Sequence, residues 1–267
     1  MTLDLIKRNK PLNRATIKYI LIVLMVLDHI ALSIGENSPI YLPFRIVARL
    51  VGPTMAYFVA EGYCHTHNVK KYVLRLLVFA IISHIPYALF SGYGAFLFKL
   101  VPGNQALPLS LYLPNINKTF VVCETSVFFT LLLGLCAIII WDKVKLPKLI
   151  KALIIIAILW LAMFGDWWYI NVLFCLVFYV FRDKKVLKWI AYMLVNMLYI
   201  FNIAIAANPF NISIDPKFRT YRIGVVLVIP FIELLYNGNP GKKNFVNKWF
   251  FYIFYPLHFI ALYFIFK

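Results

Sequence analysis

An acidic residue and a histidine stand side by side in the first apolar stretch of the chain, Asp28 and His29. A carboxylate beside an imidazole can determine which ring nitrogen carries the proton and can raise the basicity of the other. His29 is therefore a candidate general base, which would take a proton from a hydroxyl or an amine as that group attacks a thioester. The structural alternative is that both side chains make hydrogen bonds that only hold neighbouring helices together.

Two arginines in the second apolar stretch, Arg45 and Arg49, are four residues apart and so lie on one face of a helix. Buried guanidiniums need anionic partners. Asp28 and Glu61 are candidate structural partners. The functional alternative is a phosphate of a ligand or the oxyanion of a reacting carbonyl group.

Two more histidines, His84 and His258, also stand inside apolar stretches. Helical rise puts His29 roughly 16 Å, His84 roughly 20 Å and His258 roughly 14 Å from the inner membrane surface, and Arg49 roughly 10 Å from the outer one. We therefore expect four helices to bring these side chains to one polar layer. Ionisable groups inside a bilayer are costly, so they mark a functional site or pair with one another.

The composition places these residues in a membrane. Of the 267 residues, 63% are hydrophobic and only 14% are charged, with a mean hydropathy of +0.82. A soluble domain of this length has too little polar surface to cover so much apolar area. We expect an all-α, polytopic transmembrane helical bundle that forms a single integral membrane domain over residues 1–267. About nine spans are predicted, at 17–34, 43–61, 71–90, 121–140, 149–164, 166–181, 186–206, 219–235 and 249–266.

The net charge of +17 comes from lysines and arginines that punctuate the apolar runs. They do not form one stripe, so nucleic acid is not an expected partner. They concentrate before the first span and in every second connection, which predicts that the N-terminus and those loops are cytoplasmic in a bacterial cell membrane. The connection 91–118 is then external, and its length suits either a lid or acceptor-binding loop or a linker.

One basic group, Lys70, Lys71 and Arg75, lies at the inner end of the second span. Such a patch can hold the phosphates of coenzyme A, a cytosolic polyanion. The alternative is a cytoplasmic loop that contacts anionic membrane lipid. His65 and His67 nearby do not share a helical face, and the four cysteines lack metal-ligand spacing, so no metal site is expected.

Short motifs occur in order from one end of the chain to the other. They read LDHI at 27–30, FRIVARLVGP at 44–53, YFVAEGY at 57–63, LRLLVFA at 74–80, SHIPY at 83–87, FTLLLG at 129–134 and YPLH at 255–258. Together they resemble the TraX family of polytopic membrane proteins, which is named for a conjugation-linked acetylase of pilin. An ordered series of motifs is more specific than any one of them.

The resemblance implies a fold similar in outline to the transmembrane acyltransferases, of the acyltransferase-3 kind. Those proteins pass an acyl group from cytosolic acyl-CoA to an acceptor at or beyond the outer face, using an intramembrane histidine. Carried over, the resemblance makes His29 the catalytic base and Asp28 its orienting group. Arg45 and Arg49 would bind the donor or stabilise charge. Further candidate binding residues are Glu61, His84, His258, Lys70, Lys71 and Arg75.

The predicted activity is therefore acetyl transfer from acetyl-CoA to an envelope glycan, a lipid-linked acceptor or a protein amine. A transporter or lipid flippase is the main alternative, in which Arg45, Arg49 and Glu61 would line a route through the membrane. A non-enzymatic membrane assembly factor is a third.

Overall fold

The computed structural model describes residues 10–92, 99–102, 119–122, 125–200, 220–242 and 244–266. The first helices are α1 (Arg14–Ile34), α2 (Tyr41–Ala48), α3 (Val51–His65) and α4 (Val69–Phe90). A short antiparallel pair of strands follows, β1 (Lys99–Pro102) and β2 (Thr119–Val122). The later helices are α5 (Val127–Lys143), α6 (Lys148–Leu161), α7 (Trp168–Val180), α8 (Lys185–Ile200), α9 (Val228–Pro230) and α10 (Phe245–Phe266). The elements are thus almost entirely helical, as predicted.

The strand pair falls in and just after the connection predicted over 91–118, and most of that connection (93–98 and 103–118) lies outside the described residues. Its role as a lid or acceptor-binding loop stays a prediction.

The chain divides into two compact units. One contains Met1–Thr54 and Asp215–Lys267, and the other contains Met55–Ile214. The first unit therefore combines the two ends of the sequence. The prediction of one membrane domain over the whole chain stays a prediction.

Three described helices, α1, α4 and α10, are long and apolar enough to cross a membrane. They also expose large apolar side chains: Leu74, Ile81 and Ile85 on α4 are each more than half exposed, as are Leu257 and Phe264 on α10. Lipid, unlike water, solvates such a surface without penalty. The protein is a membrane protein. The remaining helices of the described part are shorter, so the count of about nine spans stays a prediction.

The second predicted span, 43–61, is two helices rather than one, because the helix stops at Ala48 and restarts at Val51. Pro53 explains the break. A proline has no N–H for the helical ladder, and its ring collides with the carbonyl four residues earlier, which here belongs to Arg49. Arg49 consequently lies in the interruption, at the carboxyl end of α2.

The eighth predicted span, 219–235, is also irregular in its described part. It runs as a 3₁₀ helix over Thr220–Leu227, one turn of α9 and a π-helix over Phe231–Leu235. Pro230 removes a ladder hydrogen bond in the middle of this segment, which accounts for the change of helix type. The described part of this segment is therefore helical, as predicted, but it is not one regular α-helix, and its crossing of the membrane stays a prediction.

In the first unit, α1 packs on both α2 and α10. Near the starts of α1 and α10, a hydrogen bond joins the two helices: the Tyr19 hydroxyl donates to Asn247 Oδ1 at 2.7 Å. The 3₁₀ helix packs on α2 at Gly224, where a Cβ atom would collide with the Ile46 carbonyl oxygen. This close approach brings Tyr221, on the same 3₁₀ helix, to the arginines of α2.

In the second unit, α5 is the central helix and packs on α4 and α7. Asn171 of α7 donates to Thr130 Oγ1 of α5 at 3.1 Å. At the far end of α5, the Asp142 carboxylate accepts from the hydroxyls of Tyr63 and Tyr179, each at 2.6 Å. The hydrogen bonds from Tyr179 and Tyr63 hold the pKa of the Asp142 carboxyl below its usual range. One carboxylate therefore joins three helices.

Candidate functional site

The first unit contains a buried ion cluster. Arg45 Nη1 lies 2.8 Å from Asp28 Oδ1, and Arg49 Nη2 lies 2.6 Å from Asp28 Oδ2. The side chains are 8 to 13% exposed. One carboxylate can neutralise only one of two guanidiniums, so these three groups together carry a positive charge.

Tyrosine rings cover the guanidiniums. Arg45 Cζ lies 4.4 Å from the ring centroid of Tyr221 and 5.9 Å from that of Tyr41, and Arg49 Cζ lies 5.3 Å from that of Tyr221. Such cation–π contacts stabilise a guanidinium that has lost part of its water shell. The break before Pro53 and the close packing at Gly224 hold this arrangement in place.

The imidazole of His29 is buried on α1 beside the cluster, and its Nδ1 lies 2.7 Å from the Met25 carbonyl oxygen. A carbonyl oxygen only accepts, so Nδ1 carries the proton, and Nε2 of the neutral ring carries the lone pair. A ring held in this tautomer can accept a proton at Nε2.

Asp28 was predicted to orient the His29 ring, but its carboxylate contacts other residues. The Nδ1 atom of His29 pairs with the Met25 carbonyl, while the two carboxylate oxygens of Asp28 face the arginines. Adjacent residues point about 100° apart on a helix, so Asp28 faces α2 while His29 faces elsewhere. Asp28 is the structural partner of Arg45 and Arg49 that the sequence offered as one alternative.

His258 of α10 meets His29 directly, with ring centroids 5.1 Å apart. His258 is 5% exposed; the carbonyl groups of Tyr255 and Phe254 lie near its ring, but neither ring nitrogen makes a hydrogen bond of good geometry among the described residues. Phe259 packs edge-on to His29 at 4.7 Å, and Phe254 stacks on His258 at 5.8 Å. A buried imidazole without hydrogen bonds is unfavourable, so a bound polar group would satisfy it.

The structure thus brings together Asp28, His29, Arg45, Arg49 and His258 within one unit. The arrangement combines a candidate proton acceptor, a second imidazole and two cations. These are the groups that a reaction with proton transfer and developing negative charge requires.

The other predicted residues belong to the second unit. His84 lies on α4, with a buried Nδ1 that lacks a partner in the described part of the chain. Glu61 lines a cavity of about 280 Å³ together with His65, Arg182 and Lys188. The basic group lies on the first turns of α4, where Lys70 and Lys71 are exposed and Arg75 packs 5.2 Å from the Tyr72 ring centroid.

Sequence reasoning missed three contributors to the site: the Tyr41 ring, the Tyr221 ring and the Met25 carbonyl. Tyr221 was overlooked because its span was taken as a regular helix. The Met25 carbonyl gives no signal in the sequence except its place four residues before His29. Among the described residues, no group of three or more His, Cys, Asp or Glu is arranged to hold a metal ion.

Known proteins are similar to this chain over a range that includes the residues of the candidate site. The family model described as TraX protein matches residues 13–266. A probable fimbrial assembly protein, FimC of serogroup H1 from Dichelobacter nodosus, is 29% identical over 257 residues, which are 96% of each chain. No solved structure matches the chain. The matched range includes the ion cluster and both imidazoles.

Proposed function

Because the chain belongs to the TraX family, we propose that it is a membrane-bound acyltransferase that moves an acetyl group from cytosolic acetyl-CoA to an acceptor of the cell envelope. The observation that carries this proposal is the buried His29 imidazole, with its proton on Nδ1, beside a pair of arginines on Asp28. A purely structural ion pair would not need the neighbouring pair of imidazoles.

In the proposed step, an acceptor hydroxyl or amine attacks the carbonyl carbon of the acetyl thioester. His29 Nε2 takes the proton of the attacking group as the new C–O or C–N bond forms. The C–S bond then breaks, and the coenzyme A thiolate leaves and takes the proton from the imidazolium. The products are the acetylated acceptor and free coenzyme A, and His29 returns to its neutral form.

The arginines have one of two tasks in this step. Arg45 and Arg49 stabilise the negative oxygen that develops on the thioester carbonyl, or they bind an anionic group of a substrate. His258, buried against His29, is proposed to bind a polar atom of the substrate through a ring nitrogen. The binding roles predicted for Glu61 and His84 stay predictions.

The acceptor is proposed to be a fimbrial or pilus protein. The support is the name of the relative, a probable fimbrial assembly protein. An envelope glycan or a lipid-linked acceptor has the same nucleophilic groups and stands as the other choice. Lys70, Lys71 and Arg75 suit any anionic partner, including the donor phosphates and membrane lipid.

We also propose about nine spans and a cytoplasmic N-terminus in a bacterial cell membrane, supported by the alternation of lysine- and arginine-rich connections along the sequence. An acyltransferase-3-like arrangement is proposed from the family resemblance. This orientation exposes the basic loops to the cytosol, where acetyl-CoA is found.

The proposal is tested with inside-out membrane vesicles that carry the protein and receive acetyl-CoA labelled in its acetyl group. We expect label to enter an envelope acceptor in wild-type vesicles and to be lost with His29→Ala at equal expression. His67→Ala is the matched control, because it makes the same change at an exposed histidine.

Transport is the second candidate, because the buried positive charge of Asp28, Arg45 and Arg49 also suits the passage of an anion. If Arg45→Gln abolishes the function of the protein in cells and His29→Ala does not, transport would be favoured. Vesicles that label no envelope acceptor would overturn the acetyl-transfer proposal.

A further inference from the structure

A second basic site lies in the first unit, where the starts of α1 and α10 meet. A cavity of about 580 Å³ opens there. Arg14 and Lys18 of α1 line it from one side, and Lys242 and Lys248 line it from the other. The described residues that line it include no acidic side chain. Four cations around one cavity favour a ligand with several negative charges.

The cavity is built by specific contacts. Asn247 is the centre of the network: its backbone N–H donates to Asn244 Oδ1 at 2.7 Å, and its side-chain amide donates to the Lys242 carbonyl at 2.8 Å. Its Oδ1 accepts from Tyr19 of α1. Gly241, at φ +81°, fits against α1 where a Cβ atom would lie 2.6 Å from Asn13 Oδ1. These contacts hold the loop that carries Lys242, and the first turn of α10 that carries Lys248, against α1.

Aromatic side chains stand beside the cations. Trp249 and Phe245 line the cavity, with ring centroids 6.3 Å apart, and Lys248 Nζ lies 4.9 Å from the Trp249 centroid. A ring next to cations suits a base that stacks while its phosphates are bound. A phosphate group of a lipid would use the cations but not the rings.

The cavity is aligned with the candidate site. His29 is eleven residues beyond Lys18 on α1, and His258 is ten residues beyond Lys248 on α10. At helical rise, the cavity therefore lies about 15 Å from the two imidazoles along both helices. An acyl-CoA has this layout, because a linear arm separates its phosphates from its thioester.

We propose that this cavity, lined by Arg14, Lys18, Lys242 and Lys248, binds the phosphate groups of the nucleotide end of the acyl donor. The proposal rests on the proposed acetyl transfer and assigns its donor site within the unit that holds His29. The exposed group Lys70, Lys71 and Arg75 is not needed for it.

The test measures binding of adenosine 3′,5′-bisphosphate, which carries two of the three phosphates of coenzyme A, to the purified full-length protein. The test variant is Lys242→Gln/Lys248→Gln, and both lysines are exposed. Lys145→Gln/Lys148→Gln is the matched control, which removes the same charge from another exposed basic connection. We expect at least about tenfold weaker binding in the test variant and no change in the control.

Three outcomes would overturn the proposal. The first is that the wild type binds no nucleotide, and the second is that the test variant binds it as tightly as the wild type. The third is that phosphatidylglycerol nanodiscs displace the nucleotide and that the test variant loses lipid binding to the same extent as nucleotide binding. The last outcome would assign the cavity to a lipid headgroup. Trp249 fluorescence provides a second readout, since we expect a nucleotide-dependent change that Trp249→Phe removes.

Acetyl transfer measured on the same preparations separates this proposal from the proposed function. Nucleotide binding at the cavity without any acetyl transfer would leave the cavity assigned and overturn the function. Acetyl transfer with an unchanged KM for acetyl-CoA in Lys242→Gln/Lys248→Gln would leave the function and overturn the cavity.

Discussion

At the scale of single residues, Asp28 is the group that makes the buried arginines tolerable. A carboxylate between two guanidiniums offsets part of the large desolvation penalty of each. Its two contacts, at 2.8 Å and 2.6 Å, join α1 to α2. The same residue therefore stabilises the fold and places positive charge next to the helix face that carries His29.

Asp28→Asn is predicted to destabilise the protein by about 3–5 kcal/mol, because two buried guanidiniums lose their charged partner. The measurement is the melting temperature of purified protein in detergent. Asp183→Asn is the control, and its exposed ion pair with Arg182 is expected to contribute about 0–1 kcal/mol. Equal melting temperatures for the two variants would show that the cluster does not stabilise the fold.

At the scale of secondary-structure elements, the irregular helices create the site. The break between α2 and α3 leaves Arg49 at a helix end, and the 3₁₀ helix brings Tyr221 over both arginines. Gly224 permits this approach, since any Cβ atom there would meet the Ile46 carbonyl and lie 3.1 Å from Arg49 Cβ.

Gly224→Ala is predicted to destabilise the first unit by about 1–3 kcal/mol, because the backbone of α2 cannot yield without moving the arginines. Gly62→Ala is the comparison, where the Cβ would meet only the far end of the Tyr72 side chain at 3.1 Å. Thermal unfolding of both variants tests this. A Gly224→Ala protein as stable as Gly62→Ala would contradict the close packing.

Asp142 gives a pH dependence at the end of α5. Its pKa is below the ordinary value of 3.8 because Tyr179 and Tyr63 donate to the carboxylate. Because the pKa is lower in the folded state than in the unfolded state, the charged carboxylate stabilises the fold at pH values above the unfolded-state pKa. That stabilisation is lost as the pH falls through the folded-state pKa.

Asp142→Asn is therefore predicted to melt a few degrees below wild type near pH 7, since each kcal/mol of lost stability lowers the melting temperature by about 2–4 °C. The difference should begin to shrink below about pH 4, where the unfolded carboxylate takes up a proton, and should be lost as the pH falls through the lowered folded-state pKa. A difference that stays constant from pH 7 down to acid would show that the charge of Asp142 plays no part.

The sequence predicted the long helices well, since α1, α4 and α10 have the length and apolar character that a bilayer requires. The need of buried charges for partners made Asp28 and Glu61 candidate partners of the arginines, and the structure shows the contact with Asp28. The breaks were missed although Pro53 and Pro230 signal them, because hydropathy averages over a window and ignores a single missing N–H. The contact of His29 with His258 depends on how α1 packs on α10, which hydropathy does not encode.

At the scale of the whole molecule, the proposed orientation puts the inner end of α3 in the cytosol. Cys64 lies there and is exposed, whereas Cys175 is buried. Burial nonetheless raises the pKa of the Cys64 thiol, so less of the reactive thiolate is present at neutral pH.

A variant that keeps Cys64 as its only cysteine should react with a membrane-impermeant maleimide in inside-out vesicles and not in intact cells. The reaction should be faster at pH 8.5 than at pH 7, since the raised pKa limits the thiolate. Labelling of Cys64 from outside intact cells would reverse the proposed orientation.

The release of free coenzyme A from acetyl-CoA by purified protein, with an envelope acceptor present, tests most directly whether His29 transfers the proton. We predict that His29→Gln slows this release by about 100-fold or more while the melting temperature stays near that of the wild type. His67→Gln, the same change at an exposed histidine, should keep the wild-type rate. A folded His29→Gln protein that releases coenzyme A at the wild-type rate would contradict the account.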